Sequence, residues 1–475
     1  MNLLIIGVGH HARRIYIPCL INRVVDNIYG LDLLQEKEVI NNYIDKNNYP
    51  VKMYYLDGDS NLSKIEKDSL KIIDNIVKDN NINCVIISTD PLTHYKYAKW
   101  ALKKGLHILM DKPTTSERNV SSNLNQAKKL ISDYNKLANI YIKAKKKKHV
   151  IFSLMSQRRY HPLYKIMKEK VVEVFNETNC PITSIQTSHS DGQWRTPNEI
   201  IDLEYHGYNL GYGKCSHSGY HSMDIINWLI SSTESISKKI TGVEVFTSFL
   251  RPSDFLHQIN YSDYGKIFSD FNKINKYSDK DFLSRTKKFG EIDAFSNITF
   301  MSGKNVQALA SMNLIHNGFS QRGWLSSLNK DLYKGNGRVR QEQYIVEQGP
   351  FQSISLITYQ SQEICEKTED LFSIGKEFHI ELHVFRNSNL FNHWKTHEVF
   401  NMRDYSEMKL FGKSRGHQED ARYAGVMDFI EAIKNNRDTI SDFLEHKKGT
   451  ILLSAIYQSA IKRNLSKNAL IKIDF

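Results

Sequence analysis

The length, composition and charge of the chain exclude several classes of protein. At 475 residues it is too long for a single compact core, so we expect two domains. No apolar run approaches the roughly 20 residues that cross a bilayer, so we expect a soluble protein without a membrane partner. The net charge of +12 is spread along the chain without a recognised nucleic-acid motif, so no nucleic-acid partner is expected. Scattered cysteines without a CxxC pair, and a start without signal-peptide features, favour the reducing cytoplasm.

Short apolar runs alternate with helix-like segments through the first part of the chain. The run "NLLIIGVG" ends in glycines and is followed by a helix-like spacing of Ile15, Cys19 and Leu20. Further strand-like and helix-like segments alternate at 52–59, 68–80, 84–91, 93–105 and 107–113. Strands that alternate with helices in this way predict right-handed crossovers and a parallel sheet.

The first turn carries a variant of the dinucleotide fingerprint. It has the pattern G-x-G-x-x-A, as Gly7-Val8-Gly9-His10-His11-Ala12. The glycines permit a tight turn and a close approach of the backbone, and the helix that follows offers unpaired N–H groups to a pyrophosphate. We therefore predict a dinucleotide-binding domain over 1–150 and a second domain over 151–475, in preference to a glycine turn that serves packing alone.

An acidic residue at the end of the second strand is expected to bind the ribose of the cofactor. Asp57, in "YYLDGD", is preferred to Asp32 because its strand has the clearer pattern. This choice requires an insertion near 26–50. No arginine lies beside Asp57 to receive a 2′-phosphate, so NAD is predicted as the cofactor and NADP is disfavoured.

The stretch "SHSGYHSMDIINWL" at 216–229 places His217, His221 and Asp224 on one face if it is helical. Three interpretations are open: a metal site, a polar helix end that only docks against a sheet, and an acid/base site. The single carboxylate and the lack of a second ligand cluster argue against zinc, so no metal is predicted. The acid/base interpretation is preferred because histidine titrates near neutral pH without perturbation.

The second domain is rich in β-branched and aromatic residues, many of them alternating with polar ones. The segments with this pattern are 180–194, 240–250, 293–314, 338–363 and 377–387. They predict a large, open, mostly antiparallel sheet packed on helices. The fold class is therefore α/β, with an N-terminal Rossmann domain and a C-terminal α+β domain. The polar and aromatic segment 251–292 is predicted to be a helix-prone insertion, either a lid or an interface element.

Two loops of the second domain are candidates for substrate contact. Gln193 and Trp194, in "SDGQWRTP", offer polar groups and an aromatic face that suit a sugar. Lys334 and Arg338, in "NKDLYKGNGRVR", could receive a phosphate or a carboxylate. An ordinary loop role is the alternative for both.

Several stretches together resemble the Gfo/Idh/MocA oxidoreductases, the glucose-fructose oxidoreductase and inositol dehydrogenase family. They are the glycine turn, "STDPLTHYKYAKWALKKGLHILMDKPTT" at 88–115, "RRYHP" at 158–162, and the histidine stretch with Gly211 and Gly213 before it. The similarity is close through residue 165, recurs at 211–230 and is faint at 426–463. Between 231 and 415 only a generic pattern is shared.

The resemblance implies roles for residues that follow the predicted strands. Family members carry Glu-Lys-Pro, with a proline that is often cis, where this chain has Asp111-Lys112-Pro113. Lys112 then matches the lysine between the nicotinamide and the substrate hydroxyl. The loop that borders the nicotinamide ribose and the start of the next helix are matched by Thr89, Asp90, Pro91 and His94.

The resemblance also implies roles in the second domain. His221 matches the catalytic histidine of the family, and His217 stands where the family has an aspartate. Lys112, His221 and His217 are therefore the predicted catalytic residues. Substrate contacts are predicted for the two histidines and for Arg159 and Tyr160, with simple packing as the alternative for Tyr160.

By this resemblance the chain is an NAD(P)-dependent oxidoreductase. It would transfer a hydride between nicotinamide and a secondary hydroxyl or ketone of a sugar, nucleotide sugar or cyclitol. The alternative is a protein that keeps the cofactor without net oxidation, as a sugar sensor, an assembly partner or a redox-cycling glycosidase or lyase. Asp111 in place of glutamate and His217 in place of aspartate keep this alternative open. A homodimer or homotetramer through the C-terminal sheet is also implied.

Overall fold

A computed structural model describes residues 1–21, 25–57, 67–192, 196–202, 207–267, 271–320, 339–361, 370–405 and 416–475. The chain folds into two compact units. The first comprises 1–117, 129–161 and 408–450, and the second comprises 118–128, 162–407 and 451–475. The first unit therefore extends beyond the predicted range 1–150, because it includes a segment from near the C-terminus.

The strands and helices are numbered in chain order. The strands are β1 (Asn2–Ile6), β2 (Asn27–Leu33), β3 (Val51–Leu56), β4 (Cys84–Ile87), β5 (His107–Asp111), β6 (Phe152–Met155), β7 (Ser184–Ser190), β8 (Gly242–Leu250), β9 (Asp293–Ser302), β10 (Asn305–Ile315), β11 (Val339–Gln348), β12 (Gln352–Ser361), β13 (Glu381–Arg386), β14 (His397–Asn401) and β15 (Ile471–Asp474). The helices are α1 (Ile17–Leu20), α2 (Lys37–Lys46), α3 (Lys67–Asp79), α4 (Pro91–Lys104), α5 (Leu124–Lys147), α6 (Pro162–Thr178), α7 (Pro197–Asp202), α8 (Tyr220–Ser231), α9 (Pro252–Gln258), α10 (Tyr261–Ile267), α11 (Phe271–Ile274), α12 (Asp279–Thr286), α13 (His417–Asn435) and α14 (Lys447–Asn464). None of these helices, within the described residues, is long and apolar enough to cross a membrane.

The sheet of the first unit is parallel, as the alternation of strands and helices predicts. Its strand order is β3-β2-β1-β4-β5-β6, so the chain reverses direction across the sheet beside β1. Parallel sheets are covered on both faces, and the strands are accordingly apolar: all four residues of β4 are buried. Ligands bind outside the carboxyl ends of such strands, at the point where the order reverses. That point lies at the ends of β1 and β4.

Helix α13 belongs to the core of the first unit although it lies near the end of the chain. Its Val426, Phe429 and Ile430 are fully buried in the same apolar cluster as Leu3 and Ile5 of β1. Burying three such side chains contributes several kcal/mol, at roughly 1.5–3 kcal/mol each. This burial explains why the boundary of the unit departs from the predicted one.

The second unit contains a nine-stranded sheet in the order β14-β13-β12-β11-β7-β10-β9-β8-β15. Only β7 and β10 pair in parallel among these described strands, and the other neighbours are antiparallel. The prediction of an open, mostly antiparallel sheet is therefore confirmed. Buried and partly buried residues alternate along β12, because one face of the sheet lies on the core.

The segment 251–292 contains helices α9 to α12, as its helix-prone composition predicts. Their aromatic side chains form a small core in which Phe255, Phe271 and Phe282 are almost completely buried. The cap of α12 is also well formed, because Ser278 accepts the N–H of Asp281 over 3.1 Å. The segment is thus a structured helical element of the second unit.

Candidate active site

The turn after β1 leaves room for the backbone of a dinucleotide. Gly7 has a φ of +88°, and a Cβ there would lie 2.7 Å from the carbonyl oxygen of Ser88, so only glycine fits. A Cβ at Gly9 would meet no described heavy atom within 4 Å, so that side of the turn faces open space. Close approach of a pyrophosphate to this turn is therefore compatible with the residues present.

The helix after this turn begins in an unusual way. Residues Ala12–Tyr16 form a π-helical turn that continues as α1, and the N–H of Arg13 donates to the carbonyl of Gly9 over 3.0 Å. The first N–H groups of a helix lack partners within it and attract anions. The amides of His10 and His11 lie in this first stretch, while Ala12 is buried in the core. The predicted positions from Gly7 to Ala12 thus form one candidate phosphate cradle.

A pair of alanine substitutions separates the two roles of these glycines. Gly7→Ala should lower the free energy of unfolding by about 1–3 kcal/mol, because it combines a positive φ with a backbone clash. Gly9→Ala should leave that free energy within about 1 kcal/mol of wild type but weaken NAD binding about tenfold. Urea denaturation and titration calorimetry with NAD would measure both. Equal stability of the two variants would contradict the assignment.

The acidic residue beside the glycine turn is Asp32, and the preference for Asp57 is wrong. Asp32 lies near the end of β2, the neighbour of β1, and its carboxylate accepts the N–H of Val8 over 2.6 Å. Asp57 is exposed after β3, at the edge of the sheet. The segment 26–50 is therefore no insertion, since it contains the second strand itself. Burial raises the pKa of Asp32, although its backbone hydrogen bonds oppose this shift.

The loop between β4 and α4 is fixed by local hydrogen bonds. Asp90 caps α4 by accepting a backbone N–H over 2.9 Å, and Pro91 is the first helical residue. His94 is fully buried, with Nδ1 2.9 Å from the carbonyl of Pro113 and Nε2 3.1 Å from that of Thr89. Burial lowers the pKa of His94, so a neutral ring donates to one of the two carbonyls. His94 thus ties this loop to the loop after β5.

Asp111 is oriented by hydroxyl groups at the end of β5. The hydroxyls of Tyr16 and Ser88 both donate to its carboxylate, the second over 2.8 Å. His11 Nε2 lies 3.8 Å away. Burial lowers the pKa of His11 to about 4, because the effect of burial is larger than the opposing effect of the Asp111 carboxylate. His11 is therefore neutral at pH 7, and its contact with Asp111 is no ion pair.

Lys112 follows β5 directly, and its peptide bond to Pro113 is cis. Burial lowers the pKa of Lys112 to about 7; Asp111 opposes this shift, and the guanidinium groups of Arg422 and Arg158 add to it. An amine with a pKa near 7 is present in both protonation states at neutral pH. Lys112 can therefore accept or donate a proton during a reaction.

The two arginines that act on Lys112 were missed by sequence reasoning. Arg158 lies in the helical turn Gln157–Tyr160, and Arg422 lies on α13, where its Nη1 is 3.6 Å from Glu419. The "RRY" motif contains Arg158, but the family resemblance assigns the substrate contact to the neighbouring Arg159. No local pattern points to Arg422, because its proximity to Lys112 depends on the packing of α13.

Arg159 and Tyr160 have structural partners instead of the predicted substrate contact. Arg159 is buried, and its Nη1 donates to the carboxylate of Glu445 and to the carbonyl of Ile440. The buried hydroxyl of Tyr160 donates to Asp428 over 3.0 Å. Leaving a buried polar group without its partner is costly, so these contacts hold both side chains within the first unit. The packing alternative for Tyr160 is the better interpretation.

The predicted helix of the second unit is present, with a π-helical turn at its start. Cys215–Gly219 form this turn and α8 continues it, so His217 lies on the turn and His221 on the first turn of α8. His221 is 5% exposed, and its Nδ1 has no hydrogen-bond partner among the described residues. His217 is only partly buried. Asp224 is 1% exposed.

Other predicted site residues lie outside the described part of the chain. Gln193 and Trp194 fall within 193–195, and Lys334 and Arg338 fall within 321–338. Across the described ranges, His, Cys, Asp and Glu side chains form no group of three or more that could hold a metal ion.

Comparison with known protein families gives one match, in the first part of the chain. The model of the Gfo/Idh/MocA oxidoreductase family, NAD-binding Rossmann fold, matches residues 1–144. No curated protein matches the sequence.

Solved structures with a similar fold extend over the whole chain. They include an oxidoreductase domain protein from Kribbella flavida (13% identity, TM-score 0.59). They also include an oxidoreductase from Agrobacterium radiobacter in complex with NAD+, L-tartaric acid and magnesium, and levoglucosan dehydrogenase in complex with NADH and levoglucosan (each 13% identity, TM-score 0.57). Each comparison covers 100% of this chain and 98%, 98% and 99% of the other chains, respectively. At this identity they show a common fold.

The glycine turn, the acidic residue at the end of β2 and the family match lead to one conclusion. The turn fits a pyrophosphate, and Asp32 lies where a ribose-binding acid is expected. Residues 1–144 form a Rossmann domain that is similar to the NAD-binding domain of the Gfo/Idh/MocA oxidoreductase family.

Proposed function

We propose that the chain oxidises a secondary hydroxyl of a sugar, nucleotide sugar or cyclitol, or reduces the corresponding ketone, with NAD. The observation that carries this proposal is Lys112, an amine whose pKa is lowered to about 7, at the carboxyl end of β5 in an NAD-binding domain. Such an amine exchanges protons readily at neutral pH.

The chemistry requires two transfers from one carbinol. The hydride leaves the carbon, and the proton leaves the oxygen to a base. NAD supplies the hydride acceptor when it is bound. The neutral amine of Lys112 takes the hydroxyl proton. For ketone reduction the same groups return the proton to the oxygen.

His221 and His217 are proposed to bind the reacting part of the substrate. Both lie at the start of a helix whose residues Tyr220 to Ile230 are buried, so their backbone positions are rigid. The buried Nδ1 of His221 has no described partner, and a substrate hydroxyl would satisfy it. The similar folds described with levoglucosan or L-tartaric acid support a small polyhydroxylated substrate.

Asp32 is proposed to bind the ribose diol of NAD and to exclude the 2′-phosphate of NADP. Asp32→Asn keeps the shape of the side chain but removes its charge. Affinity for NAD should fall about tenfold, and the preference over NADP should shrink, because the phosphate no longer meets a carboxylate. Calorimetric titration with each cofactor measures this. Asp57→Asn is the matched control and should bind NAD like wild type; an effect of Asp57→Asn alone would reverse the assignment.

The nine-stranded sheet is proposed to form a homodimer or homotetramer interface. Phe246, Phe295, Leu309 and Phe385, from four strands, point away from the core and are 37%, 47%, 55% and 46% exposed. Exposed apolar side chains on three neighbouring strands, β8 to β10, support association at this sheet. Light scattering should give a mass of two or four chains, and the mass of one chain would contradict the proposal. We also propose a cytoplasmic location, which cell fractionation would test.

The competing function is retention of the cofactor without net oxidation. It is favoured by His217, which stands where the family has an aspartate. The test is the absorbance of NADH when the purified protein is mixed with NAD+ and a panel of free sugars, inositols and nucleotide sugars. Accumulation of NADH with one class supports the dehydrogenase. Tight binding of NAD without NADH from any compound would contradict it and favour the competing function.

A further inference from the structure

A cluster of buried polar side chains lies next to His217 in the second unit. The ring of His316 is 6.5 Å from the ring of His217, centroid to centroid. His316, Asp191 and Lys214 are all at most 1% exposed, whereas His217 is partly open. His217 is therefore the accessible end of an otherwise buried cluster.

Short polar contacts connect the members of this cluster. The hydroxyl of Tyr208 meets Nδ1 of His316, and Nε2 of His316 lies 3.3 Å from Asp191. The 3.3 Å separation brings the His316 ring and the Asp191 carboxylate into electrostatic contact. The backbone N–H of His316 also donates to Asp293 over 2.6 Å. The ring of His316 thus lies between Tyr208 and Asp191, and its backbone is fixed by Asp293.

Asp191 is balanced by a buried lysine. Nζ of Lys214 lies 3.3 Å from the Asp191 carboxylate and 2.8 Å from Nδ1 of His189. Burial, followed by the nearby Lys214 ammonium, lowers the pKa of His189 well below its usual range, so that ring is neutral and accepts from Lys214. A buried charge without a partner is strongly unfavourable, which explains why Asp191 and Lys214 occur together.

The same lysine anchors the turn that carries His217. The N–H of Gly219 donates to the carbonyl of Lys214 over 2.9 Å, and this hydrogen bond closes the π-helical turn. The N–H of Lys214 in turn donates to the carbonyl of Glu291 over 3.1 Å. π-Helical turns occur frequently at functional sites. Lys214 therefore connects the buried Asp191 to the turn that carries His217.

We propose that His316 is a positioning residue for His217, and that the buried Asp191–Lys214 pair sets the charge state of the His217 ring. The proposal rests on the proposed function, in which His217 contacts the substrate. In this arrangement Asp191, which directly follows β7, provides the carboxylate that acts on the His217 ring. The family resemblance implies instead an aspartate at position 217 itself. Among the described residues, the titratable groups that contact this cluster include Tyr208, His189 and Asp293, and His221 lies four positions after His217.

Substitutions that change the charge of the Asp191–Lys214 pair in opposite directions test the proposal. Asp191→Asn leaves the Lys214 cation, so the titration midpoint of the His217 ring should fall by about half a pH unit or more. Lys214→Met leaves the Asp191 anion, so the midpoint should rise by a similar amount. The double variant should titrate within about 0.2 units of wild type, because the two changes cancel. Histidine-ring NMR measures the midpoints, with the signal assigned through His217→Gln.

A structural role alone would not give shifts of opposite sign. Midpoints that move in the same direction, or that do not move in folded single variants, would overturn the proposal. These titrations need no turnover, so they decide the inference even if NADH never forms and the proposed function fails.

A second variant avoids any unpaired buried charge. His316→Gln should lower kcat about tenfold at unchanged NAD affinity, because His217 loses its support while the first unit is untouched. The exposed His393→Gln is the matched control. Wild-type kcat in His316→Gln would also overturn the proposal.

Discussion

Replacing Lys112 by methionine is expected to lower kcat for oxidation about 10³-fold while NAD affinity changes less than about threefold. General acid–base groups contribute roughly 10²–10⁴-fold, and methionine keeps the length of the side chain without its proton-accepting nitrogen. Because burial lowers the pKa of Lys112 to about 7, the amine becomes neutral as the pH rises through 7. Wild-type kcat for oxidation should therefore rise across that range, and the variant should lose this dependence.

Steady-state NADH formation and calorimetric NAD titration measure the two effects of Lys112→Met. Lys143→Met, at an exposed position of α5, is the matched control and should have wild-type kcat. A kcat within threefold of wild type in Lys112→Met, or an unchanged pH dependence, would remove Lys112 from the proton transfer.

Replacing His221 by asparagine is expected to lower kcat about 10²-fold, again with NAD affinity preserved. Asparagine retains a polar side chain but does not titrate near neutral pH. The smaller effect is expected because Lys112 remains able to take the proton. The exposed His257→Asn on α9 is the control. If His221→Asn affects only the thermal unfolding temperature and leaves kcat intact, the buried His221 is a structural residue of α8.

The parallel sheet and its glycine turn were predictable because they depend on local patterns. The short apolar runs, the helix-like spacings and the Gly7-x-Gly9 turn are each visible within about 15 residues. The antiparallel sheet was predictable for the same reason. Regular alternation along β11 and β12, for example, reflects one buried face, and the structure has that alternation.

The second strand was misassigned because its local pattern conflicts with its position. β2 contains Gly30, which weakens a strand pattern, yet a Cβ there would lie 2.2 Å from Sδ of Met53 on β3. The Met53 side chain therefore occupies the space that a side chain at position 30 would fill. Asp32 follows it, and its hydrogen bond to Val8 depends on a pairing that the sequence does not display. Asp57 was favoured because the edge strand β3 has no such constraint.

The rest of the candidate site depends on contacts between distant parts of the chain. Arg422 lies 310 positions after Lys112, and Asp191 meets His316 from a different strand. Arg158 and Arg159 are neighbours and both are buried, but Arg158 acts on Lys112 whereas Arg159 pairs with Glu445. A sequence motif cannot distinguish these two roles. Such contacts follow only from the tertiary packing.

The proposed function requires that a hydride moves between the substrate and NAD. The most direct measurement is mass spectrometry of the cofactor after incubation of the protein and NAD+ with C-perdeuterated glucose, xylose and myo-inositol, sampled by rapid quench. The proposed function predicts reduced cofactor that carries one deuterium on the nicotinamide ring with at least one of these compounds, and none in Lys112→Met. Cofactor that stays bound and unlabelled with every compound, while deuterated nucleotide sugars give the same result, would contradict it.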